Sequence, residues 1–307
     1  MTFPDSAQYP KPPGQERPYP EPTTSGRLPF TMPGNGVQAE TFYKLWGSLD
    51  GEKIPLLVLS GGPGATHEIM LTYALVHADL GVPVIMYDAV GCGQSTHFRD
   101  RVGDVEFFTP ELELGGMLAA QWAATDKPAG LRKLILSDAP ASMELWVQSI
   151  GKLRKTLPKD TLDVLEKYEK EDKVDAPEYE AAVMEFNRRH LCRLADWPKE
   201  LTDTFAAMVD DNTVYLTMNG PNEMFISGSI RTWNIIDILP NLTPETVPGG
   251  ILLMNGLFDE AQDEVVTPYL TQPSAKVKWV RFGLSSHVIH LEETEAVMKV
   301  VEDFLQC

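Results

Sequence analysis

Five short apolar runs set the rhythm of the chain, and each closes on glycine or a small polar residue. Pro55–Leu59 runs into Ser60-Gly61-Gly62-Pro63-Gly64, and Val82–Tyr87 into Asp88-Ala89-Val90-Gly91-Cys92-Gly93. Leu131–Leu136 ends at Ser137-Asp138, Gly250–Met254 at Asn255-Gly256, and Val277–Phe282 at Gly283. Continuous aliphatic runs of this length with turn-forming exits predict parallel strands buried on both faces. Val37–Trp46 alternates in part, as an antiparallel edge strand does. Between the runs the period changes. His67–Leu80 reads as a helix stopped by Gly81 at a C-cap position. Val297, Val300, Val301, Phe304 and Leu305 form the apolar stripe of a last helix. The alternation predicts an α/β fold, with a mostly parallel sheet and its working loops at the strand C-terminal ends.

Residues 141–245 break this rhythm. They are charged and helical in pattern, with an apolar stripe at Leu162, Leu165 and Tyr168 and no strand-like run. This predicts a helical cap inserted into a core of residues 36–140 and 246–307. Residues 1–35 carry nine of the 24 prolines. Proline fixes φ and removes an amide donor, so this stretch reads as an extended arm, with a loosely ordered tail as the plainer alternative and ordered structure starting near Val37.

Composition narrows the picture. With 307 residues, 43% hydrophobic and 23% charged, the chain suits one large folded domain. The net charge of −18 repels phosphate backbones and anionic membranes, and favours cationic ligands. Neither a nucleic-acid nor a membrane partner is therefore expected. No apolar run approaches the roughly 20 residues of a membrane span, and the N-terminus has no signal-like core. Cys92, Cys192 and Cys307 give neither a disulfide framework nor metal-ligand spacing. A reducing, cytoplasmic location is expected. With no dinucleotide fingerprint and no P-loop, neither a cofactor nor a metal is expected.

Four strand exits carry candidate chemistry. The Ser60–Gly64 turn can leave amides free to face an oxyanion, although a plain strand-to-helix turn reads equally well. In Tyr87–Ser95, Asp88 can brace the loop through backbone amides, and Ser95 reads as a bracing serine rather than a nucleophile. Asn255–Glu260 brings two adjacent carboxylates, one able to orient a histidine and the other to hold a cation, with a solvated turn as the alternative. Ser285-Ser286-His287 sets a histidine between the last strand and the last helix. His67, His77, His97, His190 and His290 are less well placed. The order of glycine-rich turn, late Asp and final His is that of α/β-hydrolases.

Together these segments resemble the proline iminopeptidase family of α/β-hydrolases, which includes related amino-acid amidases. The family's His-Gly-Gly-Pro-Gly stands here as Ser60–Gly64, and its Tyr-Asp-Gln-x-Gly-x-Gly-x-Ser as Tyr87–Ser95 with Ala89 for Gln. Leu134–Met143, Arg189–Arg193 and Met218–Phe225 resemble the next strand and two cap segments. The resemblance implies an aminopeptidase or amidase acting on a small peptide or amino-acid amide. It implies Asp259 as triad acid, His287 as general base, Gly61 and Gly62 in the oxyanion hole, and Glu223 and Glu260 around the substrate's amino group. The physics agrees, since a desolvated ammonium needs anionic partners.

One departure stands out. No serine lies in a Gly-x-Ser-x-Gly elbow. Thr109–Gly116 leads directly from the second strand motif into a segment resembling the helix after the nucleophile. Roughly 20–25 residues, enough for a helix, a central strand and the elbow, are missing at that point. Ser95, Ser137 and Cys92 do not stand in elbow patterns. Three readings follow: a hydrolase by lineage without its serine, a non-catalytic relative that binds amines, and an incomplete gene model or non-folding splice product. Oligomeric state is open.

Overall fold

The computed structural model describes residues 9–32, 36–104, 116–221 and 224–307. The five apolar runs all form strands. They are β3 (Leu56–Val58), β4 (Val84–Asp88), β5 (Leu134–Ser137), β6 (Ile251–Gly256) and β7 (Val277–Phe282). The alternating segment forms β2 (Gln38–Trp46), antiparallel to β4. Order begins earlier than Val37. Thr24–Thr31, within the proline-rich stretch, forms β1 and pairs along its whole length with β2. It is an exposed edge strand, which is why it carries Pro29 and lacks an apolar pattern.

The sheet is split. One half has the order β1-β2-β4-β3 and the other β5-β6-β7. The β3–β4, β5–β6 and β6–β7 pairs are parallel. Among the described residues no strand pairs with the outer edge of β3 or of β5.

Helices bridge the two halves. Side chains of β6 alternate with period 2. Leu252 and Met254 join one apolar cluster with Trp46, Val84 and Met86, and Ile251 and Leu253 join the other. On the first face lie α1 (Leu75–Leu80), preceded by a 3-10 turn from His67 to Ala74, and the last helix, α10 (Thr294–Gln306). α10 buries Val297, Met298, Val301 and Phe304, close to the predicted stripe. Burying each such side chain contributes about 1.5–3 kcal/mol. Gly81 ends α1 with φ +61, its N–H bonded to His77 O at 2.8 Å. On the second face lie α2 (Gly116–Thr125) and α8 (Asp263–Thr271).

Between β5 and β6 the described residues form helices and loops with one isolated bridge, Ser142 to Asn234. The α-helices are α3 (Met143–Arg154), α4 (Lys159–Lys170), α5 (Pro177–His190), α6 (Lys199–Asp210) and α7 (Thr213–Met218). None of the described helices is long and apolar enough to cross a membrane.

Residues 9–23 do not hang free. Gly14 N donates to Glu292 O at 2.8 Å, and Trp46 Nε1 donates to Pro20 O at 2.8 Å. Arg17 bridges Asp79 and Glu295 at 2.9 and 2.7 Å.

Candidate active site

The strand exits converge at one end of the sheet, where Gly61, Gly62, Asp138, Glu260 and His287 line one cavity of about 1160 Å³. Asp259 follows β6 and is fully buried. Its Oδ1 accepts from Ala261 N at 2.7 Å and lies 2.7 Å from His287 Nδ1. That contact fixes the imidazole tautomer and leaves Nε2 to exchange a proton with the cavity.

The His287 loop is held from behind by a buried carboxylate. Glu292, on the short α9 (Ile289–Glu292), accepts from Ser286 N at 2.7 Å, from Ser286 Oγ at 3.0 Å and from Arg193 N at 2.6 Å. Burial pushes its pKa up to about 7 against these donors. Glu293 Oε2 accepts from Leu284 N at 2.9 Å and Ser285 Oγ at 2.7 Å. The Arg193 guanidinium stacks 4.1 Å over Phe258 and donates to Pro10 O at 3.3 Å, joining the arm to the acid and histidine loops. His287 N bonds to His190 O and Leu191 O at 3.1 Å, at the end of α5. Trp146 meets the imidazole edge-on at 5.5 Å. A Cβ on Gly256 would lie 2.2 Å from Ser286 O, so the loop reaches this position because residue 256 has no side chain.

Sequence reasoning missed Asp138. It directly follows β5, its N–H bonded to Met254 O of β6 at 2.9 Å, in a left-handed conformation with φ +55 that is uncommon outside glycine. Its Oδ2 accepts from Ser137 Oγ at 2.6 Å, and Ser137 is in turn hydrogen-bonded to the Tyr73 hydroxyl. Asp138 Oδ1 and Asp259 Oδ2 are both buried with no N–H or hydroxyl partner among the described residues, and each carboxyl group shifts the protonation of the other. Two carboxyl groups buried side by side resist being charged together. Burial, then the charge of Asp259, raises the pKa of Asp138 well above the carboxylate range. Burial lifts Asp259 to about 8 while the bond from Asp138 opposes the rise. Burial thus works against charge on both carboxyl groups.

The other predicted residues fall as follows. Gly62 has φ +142, and a Cβ there would lie 2.7 Å from Gly64 N, so the turn requires glycine. Glu260 is buried on the cavity wall. Glu223 lies outside the described residues, as do residues 109–115 of the junction. Asp88 braces its loop as expected, accepting from His67 N at 2.7 Å and Gln94 N at 2.9 Å. Ser95 is also a brace, accepting from Phe42 N at 2.8 Å and donating to Asp88 O. His67, Glu68 and Asp88 come close enough to share a cation. His67 Nδ1 is already 2.9 Å from Asp88 Oδ1, so the cluster is accounted for as bracing.

Comparison with known proteins places this geometry. No family model matches the sequence. The proline iminopeptidase of Saccharolobus solfataricus is 30% identical, covering 90% of this chain and 95% of that protein. The chain belongs to the proline iminopeptidase family. The solved structure of the Mycobacterium smegmatis proline iminopeptidase superposes with a TM-score of 0.80 at 34% identity, over 92% of this chain and 98% of that one. VinJ superposes with a TM-score of 0.84 at 37% identity, over 93% and 99%. The fold is thus the α/β-hydrolase fold, and the chain is a member of a hydrolase family. The Saccharolobus alignment spans 306 positions yet draws on 90% of the 307 residues, so this family member is gapped against its relative.

Proposed function

We propose that the chain is an aminopeptidase- or amidase-type hydrolase by lineage, and that its site binds the free amino end of a small peptide or amino-acid amide without carrying the nucleophile for turnover. The observation that carries this reading is the 2.7 Å His287–Asp259 pair opening onto the same cavity as Gly61, Gly62 and Glu260. In this reading Asp259 orients the imidazole and stabilises its charged form, and His287 Nε2 is the general base. Given a serine hydroxyl in reach, His287 would take its proton as the oxygen attacked the carbonyl. Amides of the Gly61–Gly62 turn would hold the resulting oxyanion, and water would release the acyl group. Glu260, together with Glu223, meets the substrate ammonium, and the net charge of −18 draws such cations in. No residue of the sequence stands in a Gly-x-Ser-x-Gly elbow, so half of the oxyanion hole goes with the serine. A cytoplasmic setting fits the three widely spaced cysteines.

The test is hydrolysis of proline and alanine arylamides by the purified chain, with His287→Ala as control and calorimetric binding of L-prolinamide alongside. Binding without turnover is expected. Turnover that His287→Ala abolishes would overturn the claim that the nucleophile is missing, and absence of binding would overturn the amine site.

A further inference from the structure

The cavity does not stop at the site. It continues between the two halves of the sheet, with Leu56 and Leu57 of β3 on one wall and Leu134 and Ile135 of β5 on the other. Leu57 is 51% exposed although its neighbours in the strand are apolar. Both walls are strand edges with no ladder partner among the described residues. Such edges present N–H and C=O groups that an aliphatic ligand cannot satisfy, whereas an extended backbone can.

The two ends of this slot differ in charge. At the strand C-terminal end stand the carboxyl groups of Glu260 and Asp138. At the other end stand Lys53, Arg132 and Lys133, against the single carboxylate of Glu52. Among the described residues none of these three cations has a carboxylate partner. Lys133 Nζ caps α10 through Phe304 O and Leu305 O at 2.7 and 2.9 Å, Arg132 Nη1 donates to Ala129 O at 3.1 Å, and Lys53 Nζ donates to Leu80 O. A peptide running parallel to β3 and β5 would set its ammonium against the cations and its carboxylate against the acids. An antiparallel peptide reverses both contacts into attractions.

We propose that this slot is a peptide-binding groove, taking an apolar peptide of about six residues as an antiparallel strand between β3 and β5. The amino terminus lies at Asp138 and Glu260, and the carboxyl terminus at Lys53 and Arg132. The length follows from Arg132–Asp138, which spans roughly 20 Å at the rise of an extended chain. The inference rests on the amine-binding reading above and names its substrate class as short apolar peptides with both ends free.

The test is calorimetric titration of the intact protein with the hexapeptide Pro-Val-Thr-Val-Leu-Leu, both ends free, and with three modified forms. C-terminal amidation is expected to weaken binding about tenfold. N-terminal acetylation is expected to weaken it at least as much, and N-methylation of alternate backbone amides to abolish it. An Arg132→Ala/Lys53→Ala variant is expected to bind the free-acid and amidated peptides equally. Undiminished binding of the N-methylated or the amidated peptide would overturn the groove. So would a protein that binds L-prolinamide but not the hexapeptide. Binding that survives acetylation alone would overturn the placement of the amine while leaving the strand pairing, which separates this failure from that of the groove.

Discussion

His287 Nδ1 lies 2.7 Å from Asp259 Oδ1, and the second oxygen of the same carboxylate faces Asp138. The imidazole therefore rests on a buried carboxyl pair rather than on one aspartate, and burial raises the pKa of both members.

The side-chain carboxyl resonance of Asp259, followed by NMR, should titrate near pH 8 in the wild type, because burial raises it and the bond from Asp138 only partly opposes the rise. Asp138→Asn keeps a donor facing Asp259 and should leave that inflection in place, whereas Asp138→Ala removes the donor and should move it up. An Asp259 inflection that Asp138→Ala leaves unmoved would mean that Asp138 does not donate to it. Asp138→Ala should cost about 1–3 kcal/mol of stability by leaving a buried oxygen without a donor.

Stability should fall as pH rises across the neutral range. Glu292 has its folded pKa raised to about 7, and Asp259 has its raised to about 8, so both hold protons more tightly folded than unfolded. Their contribution is complete below about pH 4, the unfolded carboxyl range, and is lost as pH climbs through the folded values. For Glu292 the change is about 3 kcal/mol over that interval. Thermal midpoints between pH 4.5 and 8 should decline less steeply in Glu292→Gln than in the wild type. Identical slopes would show that Glu292 does not titrate in this way.

Gly62→Ala should destabilise the oxyanion turn. At φ +142 the added methyl meets Gly64 N at 2.7 Å. A cost of about 1–3 kcal/mol is expected from the strained backbone, together with weaker L-prolinamide binding. A variant that melts and binds like the wild type would show that the turn adapts freely.

Glu260→Gln keeps the shape of the cavity wall and removes a charge. Its affinity for L-prolinamide should drop about tenfold, whereas N-acetyl-prolinamide should bind both proteins equally poorly. Equal affinity of the two proteins for L-prolinamide would remove Glu260 from the amine site.

The sequence carried the strands well because central parallel strands are buried on both faces and so read as unbroken apolar runs. β1 was illegible for the opposite reason: nearly all its side chains face solvent, so burial imposed no pattern on Thr24–Thr31. Asp259 and His287 could be found because chain order preserves the order of their strand exits. Asp138 could not, because its partner comes from β6, a neighbour in space separated from β5 by the whole helical excursion. The split in the sheet was foreshadowed by a missing motif, but its outcome, two open edges facing one cavity, needed the fold.

The backbone of His287 hangs from the carbonyls of His190 and Leu191 at the end of α5, and its ring rests against Trp146 of α3. The helices above the sheet are thus not a detachable roof. Were they to swing outward at this edge, they would carry the imidazole away from Asp259 and break the site at the moment a ligand arrived. Traffic to and from the cavity must instead skirt the α3–α5 side, which makes that side the fixed post of any doorway this molecule uses.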